Sequence, residues 1–422
     1  MESRRLFLPH SGYRAGSLTG LRAVAALLIV GTHAAYGTGQ LSNGYLGALY
    51  ARLEVGVPIF FVLSGFLLFR PWVRAAANGT SSPSLRRYAF RRIRRIAPAY
   101  IVVVLIAYGL YEFRDAGPNP GHTWTGLLEH LTLTQIYQPV YFYVMHQGLT
   151  QTWSLAVEFA FYAVMPLLAA LLLTTICRGV WRPGLLLAGL GCMGAITVVW
   201  LSIQHTTDWL PSSAGIWLPA HLVYFVGGMV LAVLQVHRRR VNPAITGVIA
   251  VLGFLAVSTS IAGDVTAGTE ALWQNLTKVF LYVVVACSAV AVLALSEGSG
   301  FERLLGTRPV VWLGEISYEV FLLHVIMMEI AMSSVLHWPV FSGSWPIVFA
   351  VTLIMTIPPA WLLHRWTRPR WMSETERSTL DENDNTDADE HHRQRDVAPS
   401  GEQPGDRGPR RRRVLTTSSR GT

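Results

Sequence analysis

Apolar stretches of about 20 residues recur ten times along the chain, and polar connectors separate them. An α-helix of this length crosses the hydrocarbon core of a bilayer. The sequence therefore predicts an all-α polytopic integral membrane protein with about ten transmembrane helices. The predicted spans are approximately 18–36, 53–70, 96–112, 152–175, 184–203, 217–236, 243–262, 273–295, 309–332 and 345–366.

Arginine is concentrated in alternate connectors between these spans. The arginine-bearing connectors hold Arg70, Arg74 and the 86–95 cluster, then Arg178 and Arg182, then Arg238–Arg240, then Arg303 and Arg308. The intervening connectors 37–47, 204–216, 263–272 and 333–344 contain neither Lys nor Arg, and 113–151 contains Arg114 alone. Positively charged connectors stay in the cytoplasm, so both termini are predicted to be cytoplasmic.

The chain divides into three predicted regions. Residues 1–17 form a cytoplasmic N-terminal segment, and 18–372 form the membrane domain. The first span lacks a small-residue cleavage site after it, so we expect a retained helix and not a signal peptide. Residues 373–422 are rich in charged and small residues. Such a segment buries too little apolar surface to offset the entropy of ordering, which predicts a disordered cytoplasmic tail.

The composition agrees with this architecture and indicates which classes of ligand to expect. Of 422 residues, 51% are hydrophobic and 14% are charged, whereas soluble domains carry about 25% charged residues. Residues 1–372 hold 25 basic and 14 acidic residues, which favours anionic lipids or ligands near the cytoplasm over nucleic acid. Cys177, Cys192 and Cys287 lack metal-ligand spacing, so neither a zinc site nor a disulfide framework is expected.

Charged and titratable residues inside predicted spans are the candidate functional groups, because burying them in lipid is costly. Arg22 and His33 are 11 residues apart in the first span, which places them on one helix face about 16 Å apart along the axis. The fourth span is predicted to enter the membrane from outside, with Glu158 near its start and Tyr162 one turn later. His324 lies about 22 Å from the start of the ninth span.

This depth estimate predicts that His33, Glu158 and His324 share one layer in the outer half of the membrane. Two imidazoles and a carboxylate can supply a general base with an orienting partner. The alternative is that they are buried polar groups joining helices.

A dense basic segment precedes the third span. It places Arg86, Arg87, Arg91, Arg92, Arg94 and Arg95 at the cytoplasmic surface. The guanidinium group matches phosphate geometry, so this cluster suits a phosphate-rich ligand. The alternative is a cluster that serves only to orient the chain in the membrane.

Five motifs together resemble the acyltransferase family 3 membrane O-acyltransferases over about residues 18–366. They are the Arg22–His33 spacing, GVPIFFVLSGFLLFRPWVR at 56–74, the basic RRYAFRRIRRIAPAY segment, WSLAVEFAFY, and SYEVFLLH. The resemblance implies a ten-helix, multi-pass cell-membrane enzyme. Such an enzyme moves an acyl group, usually acetyl, from cytoplasmic acyl-CoA to a hydroxyl of an extracytoplasmic sugar or glycoconjugate, without a metal.

The resemblance carries over to particular residues. The paired basic motif matches Arg22 and His33, the W-S-L-x-x-E motif ends at Glu158, and the late tyrosine–histidine element matches Tyr318 and His324. We therefore expect His33, Glu158 and His324 to be catalytic, with His33 as general base and Glu158 orienting or activating it. Acyl-CoA would bind through Arg22, Arg91, Arg92, Arg94 and Arg95, and the acceptor through Trp153, Ser154, Tyr162 and Tyr318.

The chain departs from the family pattern in two places. Some relatives carry an extracytoplasmic SGNH-type domain after the last span, whereas a short polar tail is predicted here, so any SGNH partner would be a separate chain. Many relatives have an acidic residue where this sequence has Pro58, and Glu54 is the alternative acidic residue one turn earlier.

Other interpretations remain open from sequence alone. A transporter or flippase of lipid-linked or secreted carbohydrate would also explain ten spans with polar residues, as would a structural or sensory membrane protein. Within the enzyme class, a covalent acyl-histidine route is an alternative to general-base catalysis. The acceptor could be an envelope polysaccharide, a glycolipid or a secreted glycosylated metabolite.

The arginine distribution makes a topological prediction. A reporter fused after residue 120 is expected to be extracytoplasmic, and reporters fused after residue 80 or 240 cytoplasmic. Paired activity assays of a periplasm-active and a cytoplasm-active reporter measure this. A cytoplasmic signal at residue 120 would reverse the inside and outside assignment of every candidate site.

Overall fold

The computed structural model describes residues 10–114, 117–264, 271–296 and 298–367, with side chains from residue 16 onward. This part of the chain is helical and contains no strand, which confirms the predicted all-α class. The α-helices are α1 His10–Gly37, α2 Gly44–Arg52, α3 Gly56–Asn78, α4 Leu85–Glu112, α5 Trp124–Thr132, α6 Trp153–Ala170, α7 Pro183–Thr206, α8 Leu218–Val236, α9 Pro243–Val257, α10 Leu272–Ala294, α11 Gly300–Leu305, α12 Arg308–Glu315, α13 Ser317–Ile330 and α14 Trp345–Thr367.

Short helical turns complete or join these elements. Two π-helical turns, Leu171–Ile176 and Ala331–Leu336, extend α6 and α13. The 3₁₀ turns are Gln40–Ser42, Leu53–Val55, Gln135–Tyr137, Tyr141–Tyr143, Gln147–Thr152, Ser212–Ile216 and Ser260–Ala262. The predicted tail, 373–422, lies outside the described residues, as does most of the predicted N-terminal segment.

Nine helices of the described residues are long and apolar enough to span a membrane. The remaining predicted span, 243–262, corresponds to α9, which has 15 residues. That is about 22 Å of helix, shorter than the hydrocarbon core of about 30 Å. Ser258 follows the last residue of the helix and donates its hydroxyl to the Phe254 carbonyl, and the apolar run continues as the Ser260–Ala262 turn.

The predicted ninth span, 309–332, is wrong at its start. The structure divides it into α12 and α13, because α12 packs closely on α1: a Cβ atom on Gly314 would lie 2.0 Å from the Thr19 carbonyl oxygen. At this break, the Ser317 hydroxyl donates to the Gly314 carbonyl at 2.8 Å. His324 therefore lies about 10 Å, not about 22 Å, from the start of its span.

Helices α3 and α8 form a close contact at the centre of the bundle. A Cβ atom on Gly65 would lie 2.0 Å from the Phe225 carbonyl oxygen, and one on Gly228 would lie 2.0 Å from the Val62 carbonyl oxygen. Glycine permits this approach, as small residues do between membrane helices. The Phe225 ring stacks on Phe161 with centroids 4.0 Å apart, which joins α6 to the same contact.

The connector between α4 and α6 packs against the ends of the helices. Tyr100 donates to the His130 carbonyl at 2.7 Å, and the Trp217 indole donates to the Ile136 carbonyl at 2.9 Å. Burial, together with the neighbouring imidazoles of His130 and His122, lowers the pKa of His146 to about 3. His146 therefore packs in this connector as a neutral ring at physiological pH.

The close contact between α3 and α8 predicts that Gly65→Ala destabilises the protein by about 1–3 kcal/mol, because the added carbon requires backbone displacement. Gly109→Ala is the matched control, since no described atom lies within 4 Å of a Cβ added at that helical glycine. The measurement is the melting temperature of purified protein in detergent. Equal melting temperatures for the two variants would show that α3 and α8 do not meet at Gly65.

Candidate functional site

A cavity of about 320 Å³ lies between α1, α3, α4, α6 and α13. We call it the inner cavity. Its polar lining consists of Arg22, Ser64, Arg92, Arg95, Ser154, Glu158, Tyr162, Ser317 and Tyr318. Its apolar lining includes Val57, Phe60, Leu63, Leu67 and Phe321. Residues from five helices that are distant in sequence thus meet around one space.

The inner cavity carries an excess of positive charge. Three arginines, Arg22, Arg92 and Arg95, line it together with the single carboxylate of Glu158. Tyr162 donates to that carboxylate at 2.5 Å, and Ser64 donates to the same oxygen. Counting Glu158 as a carboxylate, the lining has a formal charge of +2.

Local helix geometry explains why these groups converge. Glu158 and Tyr162 are four residues apart on α6, and Arg92 and Arg95 are three apart on α4, so each pair shares a helix face. The Arg92 guanidinium lies 6.0 Å from the centroid of the Tyr162 ring. Tyr318 donates to the Ile96 carbonyl at 3.1 Å, which fixes α13 against α4.

The structure separates the arginines predicted to bind the cofactor. Arg22, Arg92 and Arg95 line the inner cavity. Arg91 is exposed and lies outside the lining, and the Arg94 guanidinium lies 5.0 Å from the Phe90 ring centroid, also outside the lining. Among the predicted acceptor residues, Ser154, Tyr162 and Tyr318 line the inner cavity, whereas Trp153 lines a second cavity.

His33 and His324 are in direct contact, joining α1 to α13. Nδ1 of His33 lies 2.7 Å from Nε2 of His324. The ring centroids are 4.9 Å apart and the planes differ by 15°, so the rings meet edge to edge in an in-plane hydrogen bond. His324 is fully buried, and His33 is half-buried.

The partners of this pair fix the positions of its protons when both rings are neutral. Nδ1 of His324 lies 2.7 Å from the Phe321 carbonyl oxygen, and a carbonyl can only accept, so this nitrogen carries a proton. Nε2 of His324 is then an acceptor, and Nδ1 of His33 must donate to it. The remaining nitrogen, Nε2 of His33, therefore holds a lone pair and can act as a base.

The predicted layer of His33, Glu158 and His324 is divided in the structure. The two histidines touch, as expected for neighbours at one depth, but the Glu158 carboxylate binds Ser64 and Tyr162 in the inner cavity. Its apolar segment begins at Gln147 and not at 152. In the structure His33 is hydrogen-bonded to His324, whereas the partners of the Glu158 carboxylate are Ser64 and Tyr162; the role predicted for Glu158 stays a prediction.

The histidine pair lies one helical turn beyond the end of the inner cavity. Phe321 lines that cavity, and its carbonyl oxygen accepts the proton from His324. Since α1 carries both Arg22 and His33 on one face, the same helix connects the arginine end of the cavity to His33.

A second cavity, of about 560 Å³, lies among α3, α6, α7, α8 and α10. We call it the outer cavity. Its lining includes Glu54, Val57, Pro58, Trp153, Gln204, His205, His221, Tyr224, Asp264, Asn275, Lys278 and Tyr282. The Tyr282 hydroxyl donates to Glu54 at 2.7 Å, and a guanidinium nitrogen of Arg52 lies 3.8 Å from the same carboxylate oxygen.

Sequence reasoning did not identify the outer cavity. Two signals in the sequence point to it. Lys278 is the single lysine of the chain and lies inside a predicted span, where a charge indicates function. Glu54, at the start of the second predicted span, was considered only as a replacement for an acidic residue at Pro58, and both residues line this cavity.

A family model described as an acyltransferase domain matches residues 16–365. The match includes both cavities and the histidine pair. The chain is 28% identical over 347 residues to the acyltransferase MdmB of Streptomyces mycarofaciens, which covers 76% of this chain and 81% of that protein.

Two further relatives extend the comparison. The chain is 24% identical over 335 residues to the peptidoglycan O-acetyltransferase OatA of Listeria monocytogenes, covering 73% of this chain and 48% of that protein. It is 29% identical over 310 residues to nodulation protein 10 of Rhizobium leguminosarum, covering 67% of this chain and 74% of that protein. No solved structure is significantly similar to the chain.

Proposed function

The chain belongs to acyltransferase family 3, and we propose that it transfers an acyl group, typically acetyl, from cytoplasmic acyl-CoA to a sugar hydroxyl. Family membership and the apolar helices make it a multi-pass membrane acyltransferase. We propose the identity of the acyl donor and of the acceptor, the location in the cell membrane, and the role of each residue. The acceptor is an extracytoplasmic sugar, glycoconjugate or glycosylated metabolite.

The charge of the inner cavity is the observation that carries the donor assignment. Its arginine side, with Arg22, Arg92 and Arg95, suits the phosphates of CoA because guanidinium groups bind phosphate through paired hydrogen bonds. A cavity of about 320 Å³ is at the small end of ligand sites. It therefore accommodates the acylated pantetheine arm, with the nucleotide end near the exposed arginines of α4.

The position of Glu158 sets the orientation of the acyl donor in this cavity. A carboxylate repels phosphate, so the phosphates lie toward the exposed arginines of α4 and the thioester lies deeper in the cavity, toward Ser154 and Phe321. The thioester is then directed toward the end of the cavity that borders the histidine pair. Glu158 acts as a positioning residue in this arrangement.

His33 supplies the base. Nε2 of His33 takes the proton from the acceptor hydroxyl, whose oxygen attacks the thioester carbonyl. The tetrahedral intermediate collapses by breaking the carbon–sulfur bond, and protonated His33 returns its proton to the CoA sulfur. The products are the acyl ester and free CoA, and the hydrogen bond to His324 stabilises the imidazolium in between.

The relatives support a hydroxyl-bearing glycan as acceptor. One of them is named for O-acetylation of peptidoglycan, which is a sugar polymer outside the cytoplasm. The base in this chain lies toward the side of the membrane that the arginine distribution assigns to the exterior. An acceptor from outside and a donor from inside would thus meet within the bundle.

Release of CoA thiol by the purified protein in detergent tests the function. With acetyl-CoA present, the release should depend on added acceptor, and the acceptor should gain an ester-labile acetyl group by mass spectrometry. Uptake of labelled carbohydrate into proteoliposomes without CoA release would instead support a transporter.

Arg22→Ala and His33→Ala are expected to lower the rate of acyl transfer in different ways. Arg22→Ala should raise the KM for acetyl-CoA, so that a high donor concentration partly restores turnover. His33→Ala should remain inactive at any donor concentration, since general-base catalysis typically contributes about 10²–10⁴-fold. Steady-state kinetics of both variants at matched membrane levels measure this. Near-normal turnover by His33→Ala would show that His33 is not the general base.

His324 is expected to act through His33. His324→Leu removes the acceptor for the His33 Nδ1 proton and should lower kcat by about 10–100-fold, with the KM for acetyl-CoA unchanged. His324→Gln retains an acceptor oxygen and should recover part of the rate. The pH–rate profile should shift in His324→Leu, because His33 loses its hydrogen-bonding partner. Equal kcat values and pH profiles in both variants would reduce His324 to a packing residue.

A further inference from the structure

The outer cavity borders the inner cavity without sharing its chemistry. Val57 lines both cavities, and the consecutive residues Trp153 and Ser154 line the outer and the inner cavity respectively. The two spaces are therefore separated by the thickness of one side chain. A molecule held in the outer cavity is adjacent to the donor site proposed above.

The outer cavity faces the side of the membrane opposite to the arginine cluster. Gly215 and Asp264 in its lining belong to the connectors after α7 and α9, and His205 lies at the end of α7. These connectors lack Lys and Arg, which places them outside the cytoplasm by the positive-inside rule. The cavity is thus positioned to receive an extracytoplasmic ligand.

The charges of the outer cavity balance one another. Glu54 and Asp264 are negative and Lys278 is positive in its lining, while the buried Arg52 guanidinium lies 3.8 Å from Glu54. With the histidines neutral, the formal sum is zero, in contrast to +2 for the inner cavity. This balance disfavours a phosphorylated or carboxylated ligand, for which the inner cavity is the better site.

The remaining lining suits a ligand with many hydroxyl groups. The rings of Trp153 and His221 lie with centroids 5.2 Å apart, and Tyr224 and Tyr282 add two more aromatic side chains. Aromatic faces pack against the C–H faces of a pyranose ring. The amides of Gln204 and Asn275 provide paired donors and acceptors for neighbouring hydroxyls.

One buried polar atom in this lining has no partner. Nε2 of His221 is buried and forms no hydrogen bond within the part of the chain that the structure describes. Buried polar groups are normally hydrogen-bonded. A ligand hydroxyl in the outer cavity would satisfy this nitrogen.

We propose that the outer cavity binds an uncharged glycosyl group of the acceptor, with Asn275, Tyr282 and Lys278 as contact residues. The proposal rests on the proposed function, since it names the place and the charge of the acceptor for that reaction. It predicts that a neutral sugar is bound in preference to a sugar phosphate or a uronic acid.

Protection of Lys278 tests binding without requiring turnover. Lys278 is the single lysine of the chain, so an N-hydroxysuccinimide acetate reagent marks one side chain, read by peptide mass spectrometry. Methyl β-glucoside should slow the modification of Lys278 in the full chain, whereas glucose 6-phosphate at equal concentration should not. Equal rates with and without the glucoside, stronger protection by the phosphate, or a Lys278 that never reacts would each overturn the proposal.

Kinetics with methyl β-glucoside as acceptor provide the second test. Asn275→Leu and Tyr282→Phe should each raise the acceptor KM about tenfold, the loss expected for one hydrogen bond to the ligand, with the KM for acetyl-CoA unchanged. Thr277→Val on the same helix is the control, because Thr277 donates to the Trp273 carbonyl and lies outside the lining. Equal acceptor KM values in all three variants would contradict the proposal.

The two tests distinguish this proposal from the proposed function. Protection of Lys278 by the neutral sugar without any CoA release would support the outer cavity as a sugar site and contradict the acyltransfer from acyl-CoA. CoA release with normal acceptor kinetics in Asn275→Leu and Tyr282→Phe would support the reaction and place the acceptor elsewhere.

Discussion

A charged or titratable side chain inside a bilayer must find a partner or face a polar cavity, and this constraint organises the helical bundle. Glu158 meets it through two hydroxyl donors. His324 meets it through His33 and the Phe321 carbonyl. Arg52 meets it by donating to the carbonyls of Val257, Ala262 and Gly263. Each polar residue thereby joins helices that are distant in sequence.

The same constraint produces two cavities of different electrostatic character. Arginines from α1 and α4 leave the inner cavity positive, whereas the charges lining the outer cavity balance once the neighbouring Arg52 is included. Enzymes that join a cytoplasmic donor to an exterior acceptor must hold both within reach while keeping the membrane closed. Two adjoining cavities that share Val57 in their linings would suit the proposed reaction in this respect.

Much of the fold could be predicted from the sequence, because hydrophobic length and the alternation of arginine are local properties. The helical class and the spans around α1, α4, α7 and α14 were accessible this way, and the family was accessible from the resemblance of five motifs. The break between α12 and α13 was not, because it depends on the contact of Gly314 with Thr19 in another helix. The helix α9 also ends at Val257, although the apolar run continues beyond it.

The candidate site was only partly accessible from sequence. Helical periodicity correctly gave the shared face of Arg22 and His33, and depth brought His33 near His324. It did not give the partners of Glu158, because Ser64 lies on a different helix. Lys278 and Glu54 were visible as charges in or beside predicted spans, but their meeting in one cavity depends on how α3 and α10 pack.

The protonation of His33 is the most direct test of the catalytic account. Histidine labelled with ¹⁵N, with His33 assigned by comparison with a His33→Gln protein, reports on each ring nitrogen at neutral pH. The account predicts a protonated Nδ1 and an unprotonated Nε2 for His33. A protonated Nε2, or a fully protonated ring, would contradict the assignment of His33 as the base.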